Sequence, residues 1–321
     1  MSQATSLVPI SRMRLGGDGV FRGLVAGCAM FVLVSLAAAA LSMLLGGMPA
    51  FIRFGVGFLY RTVWDPVHHD FGALVPIYGT VVTSAIAMVL AVPVSFGIAV
   101  FLTEVAPGWL RGPVASAIEL LAGIPSIIYG MWGLFVFAPF MSNWIEPWVS
   151  DNLGSLPVVG ALFNGPPIGI GMLTGGIILA IMVIPFISSV MRDVFSLVPG
   201  PLREAAFAVG ATRWEVVRGV VVPYTRSAVV GGIFLGLGRA LGETMAVTFV
   251  LGNVHDLNIS LLQPGTSIAA TIANEFTEAD SDIYRSSLLA LGFLLFVVTF
   301  VVLAVAKLML IRLAKRQEGS R

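Results

Sequence analysis

The chain has 321 residues, of which 57% are hydrophobic and only 11% are charged, and its formal net charge is +1. Soluble globular domains carry about 25% charged residues, so this composition excludes them and indicates an integral membrane protein. The single cysteine excludes an internal disulfide and a thiolate metal cluster.

Six apolar runs are long enough to cross a bilayer, which requires about 20 predominantly apolar residues. In chain order they cover residues 20–46, 74–102, 114–141, 168–190, 226–252 and 287–311. We expect a polar amino-terminal segment at 1–19, a retained first span at 20–46, a five-span core at 74–311 and a tail at 312–321. Prolines at 93, 125 and 185 predict kinks within these spans. The pattern predicts one all-α membrane domain of six spans.

Basic residues are concentrated on one side of these runs. They lie at the amino terminus, after the second run, between the fourth and fifth runs and in the tail: Arg12, Arg14, Arg22, Arg111, Arg192, Arg203, Arg213, Arg218, Arg226, Lys307, Arg312, Lys315, Arg316 and Arg321. The alternate loops are richer in acidic residues. The positive-inside rule therefore predicts that both termini and the loop 191–226 are cytoplasmic.

The loop 191–226 contains a short predicted helix. Pro201 suits its first turn, and small or apolar residues recur at helical spacing as far as Val209, after which Gly210 can end it. Small Ala205 and Ala206 would let another protein approach closely, and the charged residues at the rim are Arg203, Glu204, Arg213 and Arg218. A docking element is the functional interpretation, and a solvated connector without a partner is the alternative.

A second helix is predicted directly afterwards. Thr212 and Glu215 form a capping box, which opens a helix, and we expect Pro223 to end it. The segment therefore predicts a helix, a bend and a helix.

The fifth run carries Arg239 and Glu243 in otherwise apolar sequence. A charge at the centre of a membrane helix costs about 2.5 to 3.5 kcal/mol on insertion scales. Their i, i+4 spacing predicts that both lie on one helix face and partly neutralise each other. Two pairs of glycines four residues apart, Gly232 with Gly236 and Gly238 with Gly242, permit close helix packing. The functional interpretation places Arg239 beside the path of an anion, and the alternative is a structural ion pair.

Glu119 in the third run is a second candidate for the path. It lies about two turns into that run, so it can equally face cytoplasmic water.

The docking segment resembles the EAA motif of ABC-importer permeases. Glu204-Ala205-Ala206 is followed by Gly210 and then by Val220-Val221-Val222-Pro223, with valines where the family usually has Ile and Leu. The resemblance implies a coupling helix that sits in a groove of a cytoplasmic ATP-binding subunit. It implies docking roles for Arg203, Glu204, Ala205, Ala206 and Gly210.

Three further stretches, 119–133, 190–195 and 236–249, resemble PstC-type permeases of phosphate-specific ABC importers. The resemblance implies a six-span, type I (MetI-like) bundle in the bacterial inner membrane that moves inorganic phosphate by alternating access. Its implied partners are a PstA-type permease, two ATP-binding subunits and a periplasmic or lipid-anchored phosphate-binding protein. Arg239 and Glu243 align with the charged pair of that family.

The chain itself contains no G-x-x-x-x-G-K-[ST] phosphate cradle, because its two lysines, Lys307 and Lys315, do not follow glycine. We therefore expect no ATPase activity and no cofactor on this chain, with ATP and Mg²⁺ bound by partner subunits. One alternative is an ion-gradient-coupled anion carrier that uses Glu119 or Glu243 as a proton site. The others are an ABC permease for another oxyanion such as sulphate, which would suit Arg239 equally, and a membrane scaffold or sensor.

Overall fold

The computed structural model of the chain describes residues 15–157 and 160–318. In the first half, the helices are α1 Leu15–Phe54, α2 Gly57–Tyr60, α3 Leu74–Val100, α4 Gly108–Ala122, α5 Ser126–Trp132, α6 Ala138–Phe140 and α7 Glu146–Leu153. In the second half, they are α8 Met172–Ser196, α9 Gly200–Ala208, α10 Arg213–Val216, α11 Val222–Leu241, α12 Met245–Leu251, α13 Ile268–Glu275 and α14 Asp282–Glu318. The prediction of an all-α membrane bundle is confirmed.

Several helices are joined by wider or tighter turns of helix. The π-helical turns are Phe101–Val105, Gly133–Phe137, Met141–Ile145 and Val217–Val221, and a 3₁₀ turn covers Gly160–Leu162. A small antiparallel hairpin, β1 Trp64–Asp65 and β2 Asp70–Phe71, pairs Trp64 with Phe71 and Asp65 with Asp70.

Five helical stretches of the described chain are long and apolar enough to cross a membrane. They are Gly19–Phe54, Leu74–Val105, Met172–Ser196, Arg213–Leu241 and Asp282–Leu308. A sixth span is obtained if Gly108–Ala122 and Ser126–Leu153, which meet at an angle of 88°, count as one. The predicted number of six therefore depends on this bent pair.

The outermost predicted bounds change. The first span continues beyond residue 46 to Phe54, and helix already begins at Leu15 within the predicted segment 1–19. Residues 1–14, with Arg12 and Arg14, lie outside the described residues, as do residues 319–321 with Arg321. Helix α14 continues through most of the predicted tail 312–321, to Glu318.

The third apolar run, 114–141, is not one helix. Helix α4 ends at Ala122, the Gly123 N–H bonds to the Leu120 carbonyl, and α5 begins after Pro125. Proline lacks an N–H and disfavours helical geometry in the residue before it. A glycine and a proline two residues apart therefore produce a break here, which is sharper than the kink that the sequence predicts.

The fifth run is also broken, and its helix begins earlier than predicted. Helix continues from Arg213 through the π-helical turn 217–221 into α11, so the expectation that Pro223 ends a helix is wrong. The wider π turn directly before Pro223 accommodates the ring and the missing N–H. The actual end is at Leu241, and residues 242–244 separate α11 from α12.

Helix α8 lies at the centre of the bundle and is the most buried of the candidate spans. It packs against α3, α4, α11 and α12. A Cβ added to Gly232 or Gly236 of α11 would collide with Val190 or Ile187 of α8. The predicted close packing is confirmed for this glycine pair, whereas a Cβ on Gly238 would meet nothing closer than 4.0 Å.

Helix α3 defines the two ends of the bundle. It begins beside the hairpin and α13, and its final π-helical turn reaches α9. At about 1.5 Å per residue, a helix of this length spans about 40 Å. We call these the hairpin end and the α9 end.

Candidate functional site

The break between α11 and α12 carries the two charged residues of the fifth run. Arg239 lies in the last turn of α11, is exposed, and has its guanidinium carbon 5.8 Å from the centre of the Phe186 ring. Glu243 lies in the break, where its Oε1 accepts a hydrogen bond of 3.2 Å from the Ala246 N–H. Within the described residues no ion pair joins the two side chains.

The expectation of a mutually neutralising pair on one helix face is therefore wrong. Gly242 follows the last residue of α11, as glycine commonly does at helix ends, and Glu243 stabilises the first turn of α12 instead. Arg239 is left at the carboxyl-terminal end of a helix, where the helix dipole favours a cation. Its guanidinium has no salt-bridge partner in the described chain, so it is available to an anion.

Glu119 lies elsewhere, near the end of α4. Its Oε1 accepts a 2.8 Å bond from Nη2 of Arg192, which also binds Asp193, and the Glu119 side chain is 56% exposed. Among the described residues, no hydrogen bond or ion pair connects Glu119 with Arg239 or Glu243. The structure thus associates Glu119 with the α9 end of α8.

The helix, bend and helix predicted for this loop are confirmed. Helix α9 begins at Gly200, and Gly210 ends the segment with a φ of +89°, a conformation that glycine adopts without strain. The Ala211 N–H bonds to the Ala206 carbonyl at 3.1 Å. The capping box is present, with 2.7 Å from the Thr212 N–H to Glu215 and 3.4 Å from the Glu215 N–H to Thr212.

The exposed face of α9 is largely apolar. Glu204 and Ala205 are exposed beside Leu202 and Phe207, and Val209 is 85% exposed. Exposed apolar side chains grouped on one short helix are typical of a protein contact. We call the exposed residues Leu202, Glu204, Ala205, Phe207 and Val209 the α9 surface, and it is the part of the predicted docking element that is free to meet a partner.

Two of the predicted docking residues face this chain's own bundle instead. Ala206 packs against the buried core. Nη2 of Arg203 donates to the Phe195 carbonyl at 2.6 Å and lies 3.2 Å from Glu104 Oε1. The side chains of Arg203 and Glu104 are only 21% and 9% exposed. Arg203 therefore ties α9 to the ends of α3 and α8.

A buried carboxylate at the hairpin end was not found from the sequence. Glu275 Oε2 accepts bonds from Trp64 Nε1 at 2.6 Å and the Tyr284 hydroxyl at 2.7 Å, and Oε1 lies 2.8 Å from His255 Nε2. The Trp64 and His255 rings stack at 5.3 Å. We call Trp64, His255, Glu275 and Tyr284 the Glu275 cluster. Its members are far apart in sequence, so no local pattern reveals it.

Burial and hydrogen bonding act in opposite directions on Glu275. Burial raises its pKa, but the bonds from His255, Tyr284 and Trp64 outweigh burial and hold the pKa below the ordinary value of 4.5. The ionised carboxylate is therefore the form that the structure stabilises. No group of three or more His, Cys, Asp or Glu side chains in the described part of the chain is placed to hold a metal ion.

The sequence is similar to known membrane transport proteins. Residues 91–315 match the family described as "Binding-protein-dependent transport system inner membrane component". A "Phosphate transport system permease protein PstC" from Xylella fastidiosa (strain 9a5c) is 63% identical over 303 residues, covering 94% of this chain and 93% of the relative. A protein of the same name from Mesorhizobium japonicum is 55% identical, covering 93% and 91%.

The fold is similar to that of solved ABC importers. A chain from a bacterial alginate ABC transporter, solved with an alginate-pentasaccharide-bound periplasmic protein, superposes with a TM-score of 0.61 at 18% identity, covering 94% of this chain and 99% of that one. A chain from the inward-facing MetNI methionine ABC transporter gives 0.53 at 16% identity, covering 76% and 98%. The chain belongs to the family of binding-protein-dependent transport system inner membrane components, in the PstC-type group of its relatives.

Proposed function

We propose that the chain is the permease subunit of an ATP-driven importer that moves inorganic phosphate across the bacterial inner membrane by alternating access. The observation that carries this proposal is 63% identity, over 94% of the chain, to a relative named as a phosphate transport permease. Two physical features support such a role. Arg239 has a guanidinium without a salt-bridge partner in the described chain, and the exposed α9 surface is free to contact a partner subunit.

Energy would come from partner subunits. The chain has no phosphate cradle for ATP, whereas the largely apolar α9 surface is exposed outside the bundle. We propose that two ATP-binding subunits, which hold ATP and Mg²⁺, contact this surface and that of a PstA-type second permease. A phosphate-binding protein would deliver the substrate to the hairpin end.

The proposed orientation follows from charge. Arg192, Arg203, Arg213 and Arg218 all lie at the α9 end, so the positive-inside rule places that end in the cytoplasm. Both termini would then lie on the same side, if the bent third run crosses the membrane.

In the proposed path, Arg239 attracts phosphate and the nearby carboxylate of Glu243 limits how tightly the anion is held. Arginine suits this role because its planar guanidinium offers several donors to a phosphate group. Hydrogen bonds that involve a charged group contribute about 1.5 to 3 kcal/mol, so losing one weakens binding about tenfold or more.

The test is uptake of labelled phosphate by proteoliposomes that contain the complete complex and receive ATP on the α9 side. We expect Arg239→Ala to lower uptake at least about tenfold while the complex still assembles. Arg22→Ala, which removes an exposed arginine of α1, is the matched control. Normal uptake by the Arg239 variant would show that Arg239 does not line the path.

The same preparation separates the alternatives. A secondary carrier would take up phosphate without ATP or partner subunits when an ion gradient is present. A sulphate permease would show ATPase activity stimulated by sulphate together with its binding protein, and not by phosphate. Either result would replace the proposed function.

A further inference from the structure

A cavity of about 350 Å³ at the α9 end is lined by three arginines from three different helices. Arg111 comes from α4, Arg192 from α8 and Arg203 from α9. Its volume lies at the lower end of the range of about 300 to 1,000 Å³ that small-molecule sites occupy. The cavity is separate from the break that carries Arg239.

The arginines retain unused donors. Arg111 donates from Nε to the Ala106 carbonyl at 2.8 Å, and its two terminal nitrogens form no hydrogen bond or ion pair with the described residues. Nε of Arg203 is buried and has no partner in the described chain. Glu104 Oε1, 3.2 Å from Arg203 Nη2, also lacks a hydrogen-bond partner in the described chain. An unpaired buried donor is costly, so an acceptor brought by a ligand in the cavity would stabilise Nε of Arg203.

Nearby carboxylates pair with two of the three arginines. Glu104 binds Arg203, while Glu119 and Asp193 bind Arg192. None of these three acids lines the cavity, and Arg111 has no carboxylate within ion-pair distance among the described residues. Among the described residues, Arg111 is therefore the cavity arginine whose charge no carboxylate pairs with, and its terminal nitrogens remain open to an anion.

The geometry points to a binding site for a tetrahedral phosphate group, either free inorganic phosphate or the headgroup of an anionic phospholipid. A guanidinium can donate two parallel hydrogen bonds to two oxygens of one phosphate group. Donors on three helices suit a ligand whose oxygens point in several directions. This inference goes beyond the proposed function, because it concerns a second anion site whose lining does not include Arg239 or the break at 242–244. Occupancy would hold α9 against α4 and α8.

The test is hydrogen–deuterium exchange of the complete complex, without nucleotide, in nanodiscs of phosphatidylcholine. Inorganic phosphate is titrated against sodium chloride of equal ionic strength, because salt screens weak charge effects. We expect phosphate to protect residues 107–112 and 196–203. Arg111→Gln should raise the phosphate concentration required at least about tenfold. Arg218→Gln, an exposed arginine that does not line the cavity, should leave it unchanged.

A second arm distinguishes the two sources of the phosphate group. Nanodiscs in buffer without inorganic phosphate, made of phosphatidylcholine with and without phosphatidylglycerol, are compared for the same segments. Arg111-dependent protection by the lipid assigns the site to a headgroup, and Arg111-dependent protection by inorganic phosphate in phosphatidylcholine assigns it to free phosphate. Arg111→Lys keeps the positive charge but loses the paired donors of the guanidinium, so it should give intermediate protection. Such protection would also show that a variant at this position folds.

Absence of protection in both arms, or equal protection in Arg111→Gln, would overturn the proposal. Because no transport or ATP hydrolysis is measured, that result would leave the proposed function standing. Conversely, a failure of the uptake experiment described for the proposed function would not contradict phosphate binding in this cavity.

Discussion

The two ends of the bundle are held together by different chemistry. At the hairpin end, one largely buried carboxylate, Glu275, accepts hydrogen bonds from three side chains. At the α9 end, ion pairs such as Arg192 with Glu119 are partly open to solvent, and Glu119 is 56% exposed. A carboxylate that accepts several buried hydrogen bonds is held rigidly, although Nδ1 of His255 is buried without a partner in the described chain. Exposed ion pairs contribute little. The hairpin end is therefore rigid around Glu275. The α9 end combines the largely buried pair of Arg203 and Glu104 with the more exposed pair of Arg192 and Glu119, and the second pair can break at small cost.

The largest expected effect comes from removing the buried carboxylate. Glu275→Ala leaves donors from Trp64, His255 and Tyr284 without an acceptor, and breaking such a network costs about 3 kcal/mol. We expect a clearly lower midpoint of thermal unfolding for the purified protein, followed by tryptophan fluorescence. Exposed Glu278→Ala is the control. An unchanged midpoint for Glu275→Ala would contradict the idea of a rigid hairpin end.

Acid should weaken the same cluster. Because the folded pKa of Glu275 lies below 4.5, its contribution is complete above pH 4.5 and is lost as the pH falls through the folded pKa. We expect Trp64 fluorescence to change over that acid range in the native protein and not in Glu275→Gln. The same transition in both proteins would assign it to another group.

A smaller effect is expected at the bend after α9. Gly210 has a φ of +89° and open space around the position of a Cβ, so Gly210→Ala adds backbone strain without a collision. That strain costs about 1 to 2 kcal/mol. We expect ATP hydrolysis to become partly uncoupled from phosphate uptake. Gly219→Ala, where a Cβ also meets nothing within 4 Å and φ is ordinary, is the control. Full coupling in Gly210→Ala would argue against a mechanical role for the bend.

The smallest effect is expected for the exposed ion pair. Glu119→Gln removes the charge attraction to Arg192, and exposed pairs contribute less than about 1 kcal/mol. The difference in unfolding midpoint should shrink further at high salt. If Glu119→Gln lowered the unfolding midpoint as much as Glu275→Ala, the two ends of the bundle would not differ in how strongly these contacts stabilise them.

Local signals in the sequence predicted local structure well. The capping box at Thr212 and Glu215 and the helix end at Gly210 both occur as expected, because each depends on residues within one turn. The break after Leu241 was missed even though Gly242 is a typical helix-end residue, because the surrounding apolar run favoured one continuous span. The i, i+4 spacing of Arg239 and Glu243 predicted an ion pair only on the assumption that one helix carries both residues, and the break removes that assumption.

Long-range contacts could not be predicted. The Glu275 cluster joins residues 64, 255, 275 and 284, and the inward turn of Arg203 depends on Glu104, which lies almost a hundred residues earlier. A single sequence contains no spacing that brings such positions together. For the same reason, the arginine-lined cavity is visible only after α4, α8 and α9 have packed.

The interruption at 242–244 also restricts how the bundle can sit in a bilayer. Helix ends leave backbone N–H and C=O groups without partners inside the helix, and hydrocarbon chains cannot supply them. The side of the protein that displays Arg239 and this stretch therefore cannot be turned toward acyl chains. It must be covered by another polypeptide or by water, so these residues exclude the rotations of the bundle about the membrane normal that would turn them toward lipid.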